Sequence, residues 1–501
     1  MKLRAFPLTP ALSPNGGEGV PRVGDAGARQ RSSVLIIVLW IAFGLVSLAL
    51  YFAHSMSMEL RTADNQVASA QAEQAIAGAA CYVSNVLATA ELPGTLPDPL
   101  TYQSEAVAVG DATFWLLGRS DGQGPPGEPF FGLTDEAAKL NLNIATLEML
   151  EMLPRMTPEL AAAIVDWRDS DSDVTSGGAE DEIYQRLNPP YRCKNAPFES
   201  IDEMRLVYGM DMQTLFGEDA NLNGVLDPNE NDGDASLPDD NRDGRLDPGI
   251  LEYVTIYSRE PNTRTNGEAR VNVAGTDQQQ LATLLQEKFG TDRANQILQN
   301  FGVPGGGGAG PGGGAGAGGS AGAGGGRTGS GAGGTGAGTS VAVRSVLEFY
   351  IRSGMTADEF AQIERDVTVS SGNTTEGLVN VNTASEAVLA CIPGVGIDLA
   401  PSLVSYRQSN SSSRTTMAWV VEVLGQTNAI QAGPYLTGSS YQFTADIVAV
   451  GQYGRGYQRV KFIFDTSEDA PKILYRQDLT HLGWALGKDL RQNLLLAKNK
   501  R

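Results

Sequence analysis

The sequence predicts an α+β protein in which an N-terminal transmembrane helix leads into an α/β domain carrying a large inserted all-α domain. Three observations predict it. An uncharged run, Val34 to Phe52, stands behind a basic leader. Strand-like segments occur early, at 106–117, and late, at 441–465. The long stretch between them is mostly helical in pattern.

At ~1.5 Å per residue, the ~19 residues from Val34 to Phe52 reach across a bilayer core of ~30 Å. Lys2, Arg4, Arg22, Arg29 and Arg31 precede the run, so the leader, 1–32, is expected in the cytoplasm and the rest outside. A cleaved secretory signal has a core of only ~7–15 residues and a small-residue cut site after it. Here the core is longer and ends in Tyr51-Phe52, followed by His54 and Met56. A plain signal anchor fits this segment alone as well. Behind the run the helix continues as polar, Ala-rich sequence, so 33–95 reads as one helical element.

The chain has 501 residues, enough for two to four domains beyond the anchor. Its net charge of −21 has the wrong sign for a phosphate-binding surface, so no nucleic acid is expected. Cys81, Cys193 and Cys391 are scattered singly and make no disulfide framework. His54 and His481 cannot form a His-rich metal site.

Residues 96–130 hold the first strands, with AVAVGDATFWLL around a Gly-Asp turn. An inserted helical domain follows over 131–303. From Asp135 to Arg168 it reads as helical, with Leu147, Leu150, Leu153, Leu160, Ile164 and Trp167 on one face, and Pro154 and Pro158 dividing it. Ser200 and Glu203 make a capping box for a short helix, Ser200–Tyr208. Ala269–Phe301 is again helical in pattern. The tract 304–340, mostly Gly and Ala, cannot bury a core and reads as a flexible linker. Helices resume at Val343–Gly354 and Ala357–Asp366 in a second helical part, 341–438. Tyr441–Val450 and Tyr457–Asp465 form a hairpin in the final strand region, 439–475, which shares one sheet with the early strands. Residues 476–501 are a tail.

Three segments share a theme. Asn141-Leu142-Asn143, Val271-Asn272-Val273 and Asn380-Val381-Asn382 each lead into a helical stretch, the middle copy being the most degenerate. The third has helix-hairpin-helix logic: Thr383 caps the first helix, Pro393-Gly394-Val395-Gly396 turns, and Leu399, Leu403 and Tyr406 pack the second helix back. Such turns often bind DNA through their amides; a compact packing module is the reading favoured here, because the first copy has Arg155-Met156 at the turn and the chain is acidic.

The acidic stretch 218–247 points to calcium. Asp219, Asn221, Asn223, Asp227 and Glu230 stand at positions 1, 3, 5, 9 and 12 of an EF-hand-type loop, with Gly224 at the turn and the carbonyl of Val225 at position 7. A second loop repeats the pattern with Asp239, Asn241, Asp243, Arg245 (carbonyl) and Asp247. It has Ile250 where the last Glu belongs, and Glu252 is the candidate substitute. A third cluster, Asp169, Asp171 and Asp173 with Glu180 and Asp181, suits an ion or a solvated turn equally. No nucleophile–base pair, Walker loop or HExxH occurs, and the chain is not expected to be an enzyme.

Asp135-Glu136-x-x-Lys139-Leu140-Asn141, Val165-Asp166-Trp167-Arg168-Asp169, Gly178-Ala179-Glu180-Asp181, Pro189-Pro190-Tyr191-Arg192-Cys193-Lys194-Asn195 and Ser200-Ile201-Asp202-Glu203-Met204 together resemble the K-class minor pseudopilins of type II secretion systems. The resemblance implies a pilin-like α/β domain and a structural subunit at the tip of a periplasmic pseudopilus. It implies a single-pass inner-membrane protein with its bulk in the periplasm. Implied partners are the I- and J-class minor pseudopilins, the major pseudopilin, the inner-membrane assembly platform and the prepilin peptidase. That peptidase would cut between Ser32 and Ser33 and methylate the new N-terminus; Ser32 stands where family leaders carry Gly or Ala. Ile37 falls where most pseudopilins have Glu, a departure usual for this class. The resemblance also places calcium ligands around Glu180 and Asp181. The competing function is an exported, membrane-anchored DNA-binding protein of a competence or pilus system, using the Pro393–Gly396 turn.

Overall fold

The computed structural model describes residues 28–90, 92–119, 127–275, 278–302, 343–410, 416–468 and 470–499. Most of the leader and the Gly/Ala-rich linker lie outside the described residues. The chain divides into two compact units, Met1–Gln66 and Val67–Arg501. Helix α1, Ala28–Ala88, supplies the described part of the first and enters the second. All residues from 34 to 52 are exposed, and the segment is long and apolar enough to cross a membrane. A helix suits that setting because it satisfies its backbone polar groups internally.

In the second unit, β1 (Val107–Val109), β2 (Ala112–Leu117) and β3 (Thr134–Asp135) begin a sheet that the chain completes only at its end. The insert between them is built from three similar units. The first runs from β4 (Leu140–Asn141) through α2 (Leu147–Glu151), α3 (Pro158–Arg168), α4 (Asp181–Tyr184) and α5 (Met212–Phe216) to β5 (Val254–Thr255), which pairs with β4 in parallel. After β6 (Arg259–Pro261), the second runs from β7 (Val271–Asn272) through α6 (Gln278–Phe289), α7 (Thr291–Phe301), α8 (Val346–Ser353) and α9 (Ala357–Ile363) to its parallel partner β8 (Val367–Thr368). After β9 (Thr374–Glu376), which pairs with β6, the third runs from β10 (Val379–Asn380) through α10 (Glu386–Ala390), α11 (Gly396–Ser409) and α12 (Trp419–Ala432) to β11 (Leu436–Thr437).

The shared Asn-containing theme has a physical role. The Oδ1 atoms of Asn141, Asn272 and Asn380 each accept the backbone N–H two residues on, at 2.9–3.0 Å. The N–H groups of Leu142, Val273 and Val381 donate to the carbonyls of Thr255, Thr368 and Thr437 at 2.8–3.0 Å. Those three threonines use their hydroxyls to accept the N–H of Tyr257, Ser370 and Ser439. Each unit is thus closed by one short parallel bridge flanked by side-chain–backbone bonds that satisfy buried groups. The middle copy, weakest in sequence, closes like the others. Arg168 and Arg407 occupy matching positions in the first and third units, donating to the carbonyls of Leu142 and Ala145 and of Val381 and Ala384.

Several expectations need correction. The region from Asp135 to Asn141 is not helical: it holds β3, a single 3-10 turn and β4, because its backbone groups bond to remote strands. The cap of α10 is Ser385, whose Oγ accepts from Val388 N; the Thr383 hydroxyl is spent on Asp135. The capping box of Ser200 and Glu203 forms, on a 3-10 helix, Ile201–Leu206.

The chain then returns as β12 (Gln442–Gly451), β13 (Arg455–Asp465) and β14 (Lys472–Asp478), and ends in α13 (Gly487–Asn499). Strand β14 extends into the tail. Sheet order is β1-β2-β12-β13-β14, with β3 also on β12, so the early and late strands share one sheet. On one face, Ala72, Ala75, Ile76, Ala79, Val83 and Leu87 of α1 pack on Phe114, Leu116, Phe443, Ile447 and Phe464. The small stripe at i, i+3, i+4 spacing permits close approach. A Cβ added to Gly451 would sit 2.2 Å from the Ala68 carbonyl oxygen. On the opposite face, Trp115, Val448 and Val450 meet Leu486, Leu490 and Leu494 of the C-terminal segment.

Two buried carboxyls join insert to sheet. Asp135 Oδ2 accepts from Asn380 Nδ2 at 3.0 Å and from the hydroxyls of Thr383 and Ser440, and burial pushes its pKa up to about 6. Glu136 accepts from Thr255 of the first unit and Thr444 of β12. Burial opposes its charge, but Lys139, Lys461 and the two threonine hydroxyls together outweigh that and hold it at about 2.

Candidate cation loops

The two EF-type loops follow α5 and share an unusual backbone. Leu222 and Arg242, the fourth residue of each loop, and Gly224 and Gly244, the sixth, all have positive φ, between 53° and 78°. Left-handed conformations at both places curl the chain so that side chains at alternate positions converge. In the first loop Asp219 accepts from the N–H groups of Asn223 (2.9 Å) and Gly224 (2.8 Å), Asn221 from Asn223 (3.0 Å), and Asn223 from Val225 (2.7 Å). Glu230 closes the ring: Oε1 accepts from Ala220 N at 3.0 Å and Oε2 from Asp227 N at 2.9 Å. Asp227 Oδ2 accepts from the amides of Asn221 and Asn223 at 2.7 and 3.0 Å.

Asp219 and Glu230 are each 1% exposed. Burial raises the pKa of Glu230 to about 7, with Asp219 and Asp227 adding to it. Burial likewise raises that of Asp219, with Arg119 working against it. Buried carboxylates crowded together are costly unless a positive charge offsets them. The hard oxygen set of this loop fits a calcium-type cation.

The second loop repeats two rungs of that ladder: Asp243 N donates to Asn241 at 2.8 Å and Arg245 N to Asp243 at 2.7 Å, and Asn241 Nδ2 reaches Asp247 at 3.3 Å. Asp239 and Asp247 are exposed like the rest. Glu252 does not complete this loop; both its oxygens take the Arg119 Nε–H at 2.9 Å. The residue that does is Glu218. Its Oε1 accepts from Asn241 N (3.4 Å) and its Oε2 from Asp247 N (3.0 Å), the place Glu230 holds in the first loop. Glu218 precedes Asp219 in sequence, but nothing local announces a partner in a loop some two dozen residues on.

The third cluster gathers a different set from the one expected. Glu180 is 3% exposed and Asp166 is fully buried. Both Glu180 oxygens, Asp166 Oδ2, Asp169 Oδ1 and Asn195 Oδ1 are buried without a hydrogen-bond partner. Burial, with Asp166 and Asp169 nearby, raises the pKa of Glu180; burial, Asp171 and Asp166 raise that of Asp169. Orphaned buried oxygens of this kind are rare, and as a donor set they suit a hard cation. Asp181 is otherwise engaged, accepting from Cys193 N at 2.8 Å and Gln185 Nε2 at 3.3 Å. Asp173 and Asp171 are exposed. Among the described residues no three His, Cys, Asp or Glu side chains are poised by themselves to hold a metal; all three sets draw on Asn or carbonyl oxygens as well.

Part of the hairpin turn of the third unit is packed against α12. A Cβ on Gly394 would lie 2.7 Å from the Asn428 carbonyl of α12, and Val395 is buried. Arg407, the basic residue nearby, is 2% exposed and bonded to carbonyls.

Residues 133–216 match the family model described as type II secretion system protein K, and residues 375–426 match the helix-hairpin-helix motif. The chain is 33% identical over 105 residues to type II secretion system protein K of Klebsiella pneumoniae, covering 17% of this chain and 32% of that one. It is 30% identical over 201 residues to the protein of that name from Aeromonas hydrophila, covering 36% of this chain and 60% of that one. The chain therefore spans less than two thirds of these relatives. Among solved structures, a chain of the GspK-GspI-GspJ complex from enterotoxigenic Escherichia coli is similar at 12% identity and a TM-score of 0.39, over 83% of this chain and 99% of that one.

Proposed function

We propose, on the premise that residues 133–216 are a protein K segment of a type II secretion system, that this chain is a minor pseudopilin. It is a structural, non-enzymatic subunit at the tip of the pseudopilus, required for protein export across the outer membrane. The match over 133–216 carries this reading; α1, with an apolar first part and an Ala-faced last part on a sheet, agrees with it. The subunit is anchored in the inner membrane with its bulk in the periplasm. Its partners are the I- and J-class minor pseudopilins, with the major pseudopilin, the assembly platform and the prepilin peptidase acting at its helix. Cleavage between Ser32 and Ser33 and N-methylation are part of this reading. Co-expression of the full chain with I- and J-class pseudopilins, followed by detergent extraction, is expected to give a ternary complex; separate elution of all three contradicts the assignment. An intact mass starting at methylated Ser33 tests the processing.

Calcium is the proposed ligand of the insert. Asp219, Asn221, Asn223, the Val225 carbonyl, Asp227 and Glu230 would hold one ion. Asp239, Asn241, Asp243, the Arg245 carbonyl and Asp247, with Glu218, would hold a second. Asp166, Asp169, Glu180 and Asn195 would hold a third, inside the protein K segment. Calcium supplies positive charge where buried carboxylates lack it, so its role is to hold the insert in shape.

A further inference from the structure

We propose that the first acidic loop is a latch between the helical insert and the sheet, and that a divalent cation in this loop locks β12 and β13 to the insert. The inference rests on the calcium reading above. Its basis is the wholly buried guanidinium of Arg459, on β13. Nε and Nη2 fork onto Asp446 of β12 at 2.9 and 2.6 Å. The same guanidinium donates from Nη1 to the Asn221 carbonyl and from Nη2 to the Leu222 carbonyl at 2.7 Å. One buried cation is thereby divided between two strands of the sheet and the outer rim of the loop.

A second guanidinium approaches the same rim. Arg119, just beyond β2, donates from Nη2 to the Leu222 carbonyl at 2.9 Å while Nε pairs with Glu252. The left-handed backbone at Leu222 (φ 53°) lies in the turn whose carbonyls these arginines take, while the Asn221 and Asn223 side chains accept N–H groups within the loop. Asn221 also donates from Nδ2 to the Trp484 carbonyl at 3.4 Å. The Asn221–Leu222 segment therefore faces two ways: its carbonyls serve the sheet and its side chain serves the loop interior.

A cation among Asp219, Asp227 and Glu230 removes their mutual repulsion and fixes the turn. The two carbonyls are then held where the forked guanidinium needs them. Emptied, the turn loosens, and Arg459 keeps only Asp446. Arg serves here because its planar fork spans several acceptors at once, which Lys cannot do.

The test uses the full chain in detergent, with calcium titrated by calorimetry and hydrogen exchange followed in calcium and in EDTA. In the wild type, calcium is expected to slow exchange across residues 442–465 by about tenfold or more, a value set by ~1.4 kcal/mol per decade. Arg459→Lys keeps a charge beside Asp446 and is expected to bind the same number of calcium ions with that protection largely lost. If Arg459→Lys does not fold, Asp219→Asn with Glu230→Gln, which leaves Arg459 and Asp446 intact, decides instead: calcium must no longer protect 442–465. Equal protection in either variant, or binding without sheet protection in the wild type, overturns the latch. Absence of any binding heat in the wild type overturns the calcium reading itself, and the latch with it.

Discussion

Asp219 and Glu230 of the first loop are 1% exposed, whereas Asp239, Asn241, Asp243, Arg245 and Asp247 of the second all lie open to solvent. Both loops have the same left-handed turns and share two rungs of side-chain–backbone bonds. The first brings its own closing carboxylate, Glu230, and rests on two guanidiniums of the sheet region. The second borrows Glu218 from just before the first. A loop's sequence sets its turn; what packs around it sets how strongly it needs a cation. The buried loop carries the larger electrostatic debt and should bind calcium more tightly.

The largest effect is expected from Asp219→Asn with Glu230→Gln. At calcium about 100-fold above the dissociation constant, binding to the native state alone contributes ~2.7 kcal/mol. Calorimetric melts of the variant are expected to lose that gain while keeping the heat from the second loop. A control that belongs to neither loop comes next. Asp135, raised to about 6, and Glu364, raised to about 7 by burial, hold their protons more tightly folded than unfolded. Their contribution is full below the ordinary carboxylate range and fades as pH rises through 6 and 7. With calcium present throughout, stability is expected to fall by roughly 2 kcal/mol between pH 6 and pH 8 in denaturant titrations. A flat profile would show that these two carboxyls do not hold their protons.

Glu218→Gln separates the two loops. It should weaken the second loop about tenfold and spare the first, while Glu252→Gln leaves the second loop's affinity unchanged. The smallest effect concerns the third cluster. Glu180→Gln removes an uncompensated buried charge, so it should stabilise the calcium-free protein by ~1 kcal/mol and cost stability once calcium is added. The same sign in both buffers would argue against an ion there.

The long-range order of this fold was readable where it depends on repeated local chemistry. The Asn-containing theme marked where the three units begin, though not that each begins with a strand; the hairpin 442–465 was visible by alternation, and the EF spacing by its alternating oxygens. What escaped depends on partners remote in sequence. Two-residue strands such as Leu140–Asn141 have no periodicity of their own. Thr383 looked like a cap, yet Asp135 claims its hydroxyl across the fold. Glu218, Asp166 and Arg459 matter through groups that only tertiary packing brings to them. Asp166 had one local signal, its i, i+3 spacing from Asp169 at the end of α3.

Calcium titration of the full chain by calorimetry, beside the Asp219→Asn, Glu230→Gln variant, decides whether the buried loop holds an ion. More than one binding event is expected, with the tightest absent from the variant. Identical isotherms for the two proteins, or no binding heat in either, would contradict it.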